Sequence, residues 1–345
     1  MRFSVIIPVY NVEKFIGKCL DSVFKQTYSD YEIVAVNDGS TDSSLKILKN
    51  YQIDNPKLKI ISQKNKGLGG ARNTGISNAN GEFLILLDSD DYIASNMLET
   101  LDYYLSKYKL DILVFDCTQV DLEGNVLKYS TIDQYSDHYT DLTKKQFLSL
   151  EPTACTKVYR KTLYTEHFIK FPEKLWYEDL ATVFKLIPYT KRIGYLKEAL
   201  YYYVQQSESI THSSNTYRML DIIIAINSNV KYFKKIGLWE EFYAELEWNA
   251  ILHGLYYSSL RLFSCGYKRK EINIIFEYVN KTFPTWRTNK YLLEYGKTRY
   301  LMNDIIQKKY ITVYFKTGFT LKYLYPLFIR IKRLRGDKIE CERKN

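Results

Sequence analysis

The chain of 345 residues is 46% hydrophobic and 26% charged, which excludes a disordered protein and fits a main domain with a smaller helical part. Its formal net charge of +10 favours anionic partners such as phosphorylated small molecules or acidic lipid, and nine Lys or Arg against three Asp or Glu from Tyr310 onward carry more than half of it. Five widely spaced cysteines with no CxxC pair argue for reduced thiols, against a disulfide framework or a zinc knuckle, and no apolar run is long enough to span a membrane.

The opening "FSVIIPVY" is a β-branched run and predicts a buried strand. It is too short, and too soon followed by polar residues, for a signal sequence, so a cytosolic protein is expected. Phe15, Ile16, Cys19, Leu20 and Val23 then recur at helical spacing. "YEIVAVNDGSTD" predicts a strand ending in a turn cluster, and "SSLKILKNYQ" a helix with Ser or Asp as its cap. "LKIISQKN" is a third strand, "GLGGARNTGISNAN" a glycine loop opening a helix, and "EFLILLDSDD" a fourth strand. This βαβαβαβ order predicts an α/β fold with a mostly parallel sheet flanked by helices. Farther on, "LDILVFDCTQV" reads as a strand and 121–150 as a polar excursion. The segment "TKVYRKTLYTEHFIKFPEKLWYEDLATVFKLIPY" reads as helix, loop and helix, "IGYLKEALYYYV" as strands, and 215–310 as a helical C-terminal extension.

Ligands of open α/β sheets bind beyond the carboxyl ends of the strands. The clusters "PVYN", "NDGSTD", "QKNKGLGGARN" and "DSDD" each follow a strand and should converge on one edge. In extended backbone Asp88 and Asp90 point the same way and Ser89 points away. Two carboxylates on one face, with Asp91 beside them, raise each other's pKa unless a cation neutralises them. A hard divalent ion, Mg²⁺ or Mn²⁺, would do so and bring phosphates with it.

Five motifs in order carry a resemblance: Ser4 to Asn11, "VNDGSTD" at 36–42, "NKGLGGARNTGI" at 65–76, "LLDSDD" at 86–91 and "YED" at 177–179. The chain resembles the family 2 glycosyltransferases of the GT-A, Rossmann-like fold, over about residues 1–215. The resemblance implies a nucleotide-sugar donor, with uridine favoured as its base, a divalent metal, and inversion at the anomeric centre. It implies that Pro8, Val9 and Tyr10 line the base pocket and that Asp38 accepts a hydrogen bond from the uracil ring. Asn11 and Ser89 complete the nucleotide-binding set. The glycines, Gly70 among them, would let backbone approach an anion, and Arg72 would meet the diphosphate, with a pairing to an aspartate of the "DSDD" loop as the structural alternative. Asp88 corresponds to the ribose and metal-side carboxylate, Asp90 to the metal ligand, Asp179 to the general base and Glu178 to its orienting partner. Apolar positions Leu180, Val183, Phe184 and Ile187 place Asp179 near a helix start, where a cap is the structural alternative. Ser209 and His212 would reach phosphate or metal, although Val204 stands where the family has a basic residue. Lys157 and Trp176 match weaker positions, and Trp176 would stack on the acceptor sugar.

The implied product is a surface or exopolysaccharide built on a saccharide acceptor, held on a lipid carrier. Residues 311–345, with an apolar stripe at Leu324, Leu327, Phe328, Ile331 and Leu334 among basic residues, read as a helix docking on the anionic inner face of the membrane. Three other readings compete. A sugar nucleotidyltransferase would want a glycine-rich basic loop where "PVYNVEKF" stands. A non-catalytic nucleotide-sugar-binding subunit would not need both Asp90 and Asp179. A nucleic-acid binder would show a basic-aromatic module, which is missing, so no nucleic-acid partner is expected.

Overall fold

The structure, a computed structural model, describes residues 1–132, 134–205, 216–265, 268–295 and 302–307. The chain divides into two compact units, one of Met1–Phe147 with Pro152–Ser209 and one of Leu148–Glu151 with the chain from Ile210 onward.

Among the described residues the first unit holds every strand of an α/β fold: β1 (Phe3–Val9), β2 (Tyr31–Asn37), β3 (Leu58–Ser62), β4 (Phe83–Leu86), β5 (Tyr92–Ile93), β6 (Ile112–Val120), β7 (Val126–Ser130), β8 (Tyr139–Leu142), β9 (Lys157–Arg160) and β10 (Ile193–Val204). They form one sheet in the order β3-β2-β1-β4-β9-β6-β10-β5, with β7 on β6 and β8 on β10. The first four strands are parallel neighbours, and β1 and β2 are buried along their whole length. That burial on both faces explains why their sequences run continuously apolar instead of alternating. Helices α1 (Ile16–Phe24), α2 (Ser44–Asp54) and α3 (Gly67–Asn78) make the crossovers, and α4 (Met97–Tyr108) follows β5. The core beneath α1 and α4 joins Ile16, Leu20 and Val23 to Leu98, Leu101, Leu105 and the strand residues Val5, Ile7 and Ile85.

Two expectations fail in this unit. "TKVYR" was expected to open a helix but is the strand β9, antiparallel to both β4 and β6 in the middle of the sheet. Its charged residues disguise it. Lys157 is buried and its ammonium donates to the carbonyl of Thr153 (2.6 Å), while Arg160 lies at the sheet margin with Asp111 (2.8 Å) and Glu82. The polar excursion at 121–150 is also not structureless, since it supplies β7, β8 and the short α5 (Lys144–Leu148). After β9 come α6 (Thr162–Thr165) and a 3-10 helix over Val183–Tyr189.

The second unit is helical: α7 (Thr216–Met219), α8 (Asp221–Lys235), α9 (Tyr243–Asn249), a π-helical stretch Ala250–Tyr257, α10 (Ser258–Ser264), α11 (Arg269–Thr282), α12 (Lys290–Tyr295) and α13 (Met302–Ile306). Trp248, Leu255, Phe276, Phe283 and Trp286 are buried in it. Two buried acids of α9 fasten the chain that leads into α12. Glu245 accepts from Tyr291 (2.7 Å) and Lys290 (3.1 Å), and Glu247 from Thr285 (3.0 Å) and Asn289 (2.9 Å).

Candidate active site

The parallel strands deliver their loops to one edge, and the first contacts there join loop to loop. Asn11 leaves β1 with φ +52, a left-handed conformation that an Asn tolerates because its side chain bonds locally. Its Oδ1 accepts from the Thr41 backbone N–H (2.8 Å), and its own N–H donates to Ser40 Oγ (3.2 Å). Pro8 and Val9 are buried at the strand end, whereas Tyr10 is half exposed. Asp38 is buried just past β2 and gathers the glycine loop. Its Oδ1 accepts from Gln63 Nε2 (2.7 Å) and the Lys66 N–H (2.8 Å), and its Oδ2 from the Gly67 N–H (2.8 Å). A carboxylate oxygen has room for two donors, so Oδ2 retains one position for a ring N–H.

The carboxylate cluster is not ordered by strand alternation. β4 ends at Leu86, and Asp88 to Asp91 form a turn closed by the Asp91 N–H donating to the Asp88 carbonyl (3.1 Å). The turn sends Asp91 inward and Ser89 into a buried position, while Asp88 and Asp90 stay half-buried. Asp91 accepts from the Tyr201 hydroxyl (2.6 Å) and the Val204 N–H (2.8 Å), and the same hydroxyl accepts from the Asp88 N–H (3.3 Å). Burial raises the Asp91 carboxyl well above its ordinary range, and the charges of Asp90 and Asp88 add to the shift. Three clustered acids therefore coexist because one turns inward onto two donors of β10. Val204, where a basic side chain was absent from the sequence, contributes through its backbone.

The acid pair Glu178–Asp179 comes from the loop before the 3-10 helix. The apolar positions Leu180, Val183, Phe184 and Ile187 are all buried as expected, but as a run of turns followed by 3-10 geometry, not as an α-helix. Asp179 Oδ1 accepts from the Leu180 N–H (2.7 Å), and its carbonyl accepts from the Thr182 and Val183 N–H groups (3.0 and 2.8 Å). Arg72 is buried and spans the two carboxylate groups, donating to Glu178 Oε1 (2.7 Å) and Asp88 Oδ1 (2.8 Å). The guanidinium expected to meet a diphosphate is thus committed to protein acids. Burial opposes the Arg72 charge, but Asp88 and Glu178 more than offset it and its pKa stands raised. Burial also pushes Glu178 up to about 7, against the pull of Arg72 and with help from Asp179. Arg72 shifts upward because several acids surround it, and Glu178 shifts upward because its burial, helped by Asp179, outweighs the pull of the one cation.

The glycines lie close against the chain itself. A β-carbon on Gly69 would lie 2.2 Å from the Pro172 carbonyl oxygen, one on Gly70 2.4 Å from Lys66 Cβ, and one on Gly67 3.0 Å from the Lys174 backbone. Gly67 and Gly69 thus admit the chain's own 172–174 segment, while the close neighbour of Gly70 is Lys66 of the same loop. Trp176 is half-buried next to Tyr177, whose φ is +64. Ser209, His212 and the tail from 311 lie outside the described residues.

Among the described residues no three His, Cys, Asp or Glu side chains are grouped to hold a metal. Asp91 is turned inward onto β10 and one oxygen of Asp88 is held by Arg72, and the half-buried Asp88 and Asp90 are the two carboxylates of the turn at the mouth of the site. Magnesium-type ions are commonly held by one or two carboxylates together with substrate phosphates, and two carboxylates at the mouth suit that arrangement.

The model of the family described as Glycosyl transferase family 2 matches residues 4–168. The chain is 31% identical over 248 residues to Glycosyltransferase GlyA of Streptococcus pneumoniae, covering 68% of this chain and 35% of that protein. It is 30% identical over 222 residues to Glycosyltransferase GlyG of the same organism, covering 60% of this chain and 72% of that protein. It is 34% identical over 221 residues to the poly(ribitol-phosphate) beta-N-acetylglucosaminyltransferase TarS of Staphylococcus aureus, covering 63% of this chain and 38% of that protein. The chain therefore spans little more than a third of the length of GlyA and TarS. A crystal structure of a TarS fragment with UDP-GlcNAc matches with a TM-score of 0.67 at 24% identity, over 93% of this chain and 92% of that one, a likeness of fold.

Proposed function

This chain belongs to glycosyl transferase family 2, and from that premise we propose that it transfers a sugar from a UDP-sugar to a saccharide hydroxyl with inversion. The observation that carries the reading is the buried Arg72 joining the strand-end carboxylate Asp88 to Glu178 of the acid pair. It brings a donor side and an acceptor side to one edge of the sheet, which a direct displacement requires. Asp38 and the Pro8–Asn11 strand end form the base-binding side. Asp179 takes the proton of the acceptor hydroxyl, and Glu178, fixed by Arg72, orients it. Trp176 borders the acceptor. Asp90 and the second oxygen of Asp88 would hold Mg²⁺ or Mn²⁺, which supplies positive charge to the leaving diphosphate. Arg72 acts on the same side indirectly, by holding Asp88 in place.

An N-acetylhexosamine donor and a cell-surface polymer acceptor are the first candidates. TarS is named for N-acetylglucosaminyl transfer to poly(ribitol-phosphate), and a TarS fragment was crystallised with UDP-GlcNAc. A lipid-linked acceptor and peripheral attachment through residues 311–345 extend the proposal. Among the described residues no helix is long and apolar enough to cross a membrane.

The test is nucleotide release across a panel of UDP-sugars with Mg²⁺ or Mn²⁺, followed by NMR of the product anomer and a comparison with Asp179→Asn. Inversion is expected, and Asp179→Asn should turn over at least about a hundredfold more slowly, the scale of general base catalysis. A retained anomer, or normal turnover by Asp179→Asn, would refute the mechanism.

A further inference from the structure

The acid pair stands at the end of a segment, 171–178, that is seated on one edge of α3. Asn73 pairs with Phe171 as one strand residue pairs with another. Its Nδ2 donates to the Phe171 carbonyl (2.7 Å) and its Oδ1 accepts from the Phe171 N–H (2.8 Å). One turn earlier, Gly69 leaves no space for a β-carbon beside Pro172. Just before α3, the Lys66 carbonyl accepts from the Lys174 N–H (3.1 Å). Arg72 closes the series at Glu178, and the Phe171 ring lies 5.5 Å from the guanidinium carbon.

The segment needs such a seat. Lys174 and Tyr177 have φ of +53 and +64, left-handed conformations in residues that rarely adopt them. Backbone of this kind persists only where the surroundings over-determine it. Here the determinants are spaced along one helix at 66, 69, 72 and 73. That helix is itself anchored by Asp38 at its first N–H groups, on the donor side.

We propose that Asn73 is a positioning residue of the transferase. It fixes the height of the acid pair above the donor by pairing with the Phe171 peptide, while the closeness that Gly69 permits fixes the lateral approach. The inference rests on Asp179 being the base. It adds that α3, and not only the 3-10 helix that follows, sets the placement of Asp179. Misplacing a catalytic group by about 1 Å can cost about a hundredfold in rate.

Two variants test this in the full chain, with the UDP-sugar that supports turnover. Asn73→Asp keeps the size and the acceptor but cannot donate to the Phe171 carbonyl. Gly69→Ala removes no polar group, and it displaces Pro172. Each should lower kcat at least about tenfold. The KM for donor should stay within about twofold, and calorimetry should still find one UDP site per chain with unchanged affinity, because Asp38 and the β1 end are untouched. Wild-type kcat in both variants would overturn the proposal. So would a loss of UDP sites in step with kcat, the signature of a merely structural role. Asp179→Asn run alongside separates the two ideas. If it is slow while Asn73→Asp and Gly69→Ala are normal, the seat is wrong and the base is right. If it turns over normally, the base assignment itself has failed.

Discussion

Replacing Tyr201 by Phe probes the turn that carries the carboxylates. The hydroxyl is fully buried, donates to Asp91 Oδ2 at 2.6 Å and accepts from the Asp88 N–H at 3.3 Å. Phe retains the ring, so no cavity forms and the cost comes from two stranded polar groups. The short bond to a carboxyl dominates, the longer one adds less, and the sum is about 2–3 kcal/mol. For a unit of about 200 residues this lowers the melting temperature by about 4–12 °C. Asp91→Asn should behave differently. Its oxygen still accepts from Val204 and a like charge is removed, but its amide cannot accept from the Tyr201 hydroxyl, so it should melt below the wild type by less than Tyr201→Phe does. Differential scanning fluorimetry reads both shifts, and calorimetry of UDP with Mn²⁺ should show several-fold weaker binding for Tyr201→Phe. If Tyr201→Phe melts with the wild type and Asp91→Asn melts well below it, β10 does not hold the turn.

Other outcomes follow from the same geometry. Asp90→Ala should abolish turnover while leaving the melting temperature within a few degrees, and excess chelator should silence the wild type; full turnover in chelator would rule out the metal. Glu178 is raised from its ordinary 4.5 to about 7, so the folded state holds the extra proton between those values and its contribution to stability falls as pH rises through that window. Glu178→Gln should flatten this slope, seen as melting temperature against pH, and an unaltered slope would reassign it. Truncation after Thr317 should release the protein from anionic liposomes, as high salt should in part; a full-length chain that never pellets with them would dispose of the docking helix.

The sequence made β1 and β2 legible because burial on both faces writes itself as nearly continuous apolar runs, and the short β3 and β4 because polar clusters bound them. It made the site's parts legible because each polar cluster follows such a strand. Partners far apart in the chain were hidden. Nothing near Asp91 announces Tyr201 or Val204, more than a hundred residues away, as its donors. The alternation argument for Asp88 and Asp90 assumed a strand that in fact stops at Leu86. β9 was missed because a four-residue strand is too short to display a period and its lysine and arginine resemble a helix face. The glycines were read for what they would admit, but an open backbone does not say whether a ligand or a neighbouring segment will fill the space.

The reversed direction of β9 has a consequence for how this enzyme class can vary. Arg160 pairs with Phe83, the first residue of β4, and the Lys161 N–H bonds to Glu82, so the chain leaves β9 at the end of the sheet remote from the carboxylates. It must turn back toward them before Phe171 meets Asn73. The ten residues 161–170 therefore join two fixed ends and carry no reacting group. A residue added or removed there would be absorbed ahead of Phe171, as slack in a rope is taken up before the cleat, and the acid pair would keep the height that Asn73 gives it. Related chains could differ in length at 161–170 without shifting a residue that touches substrate.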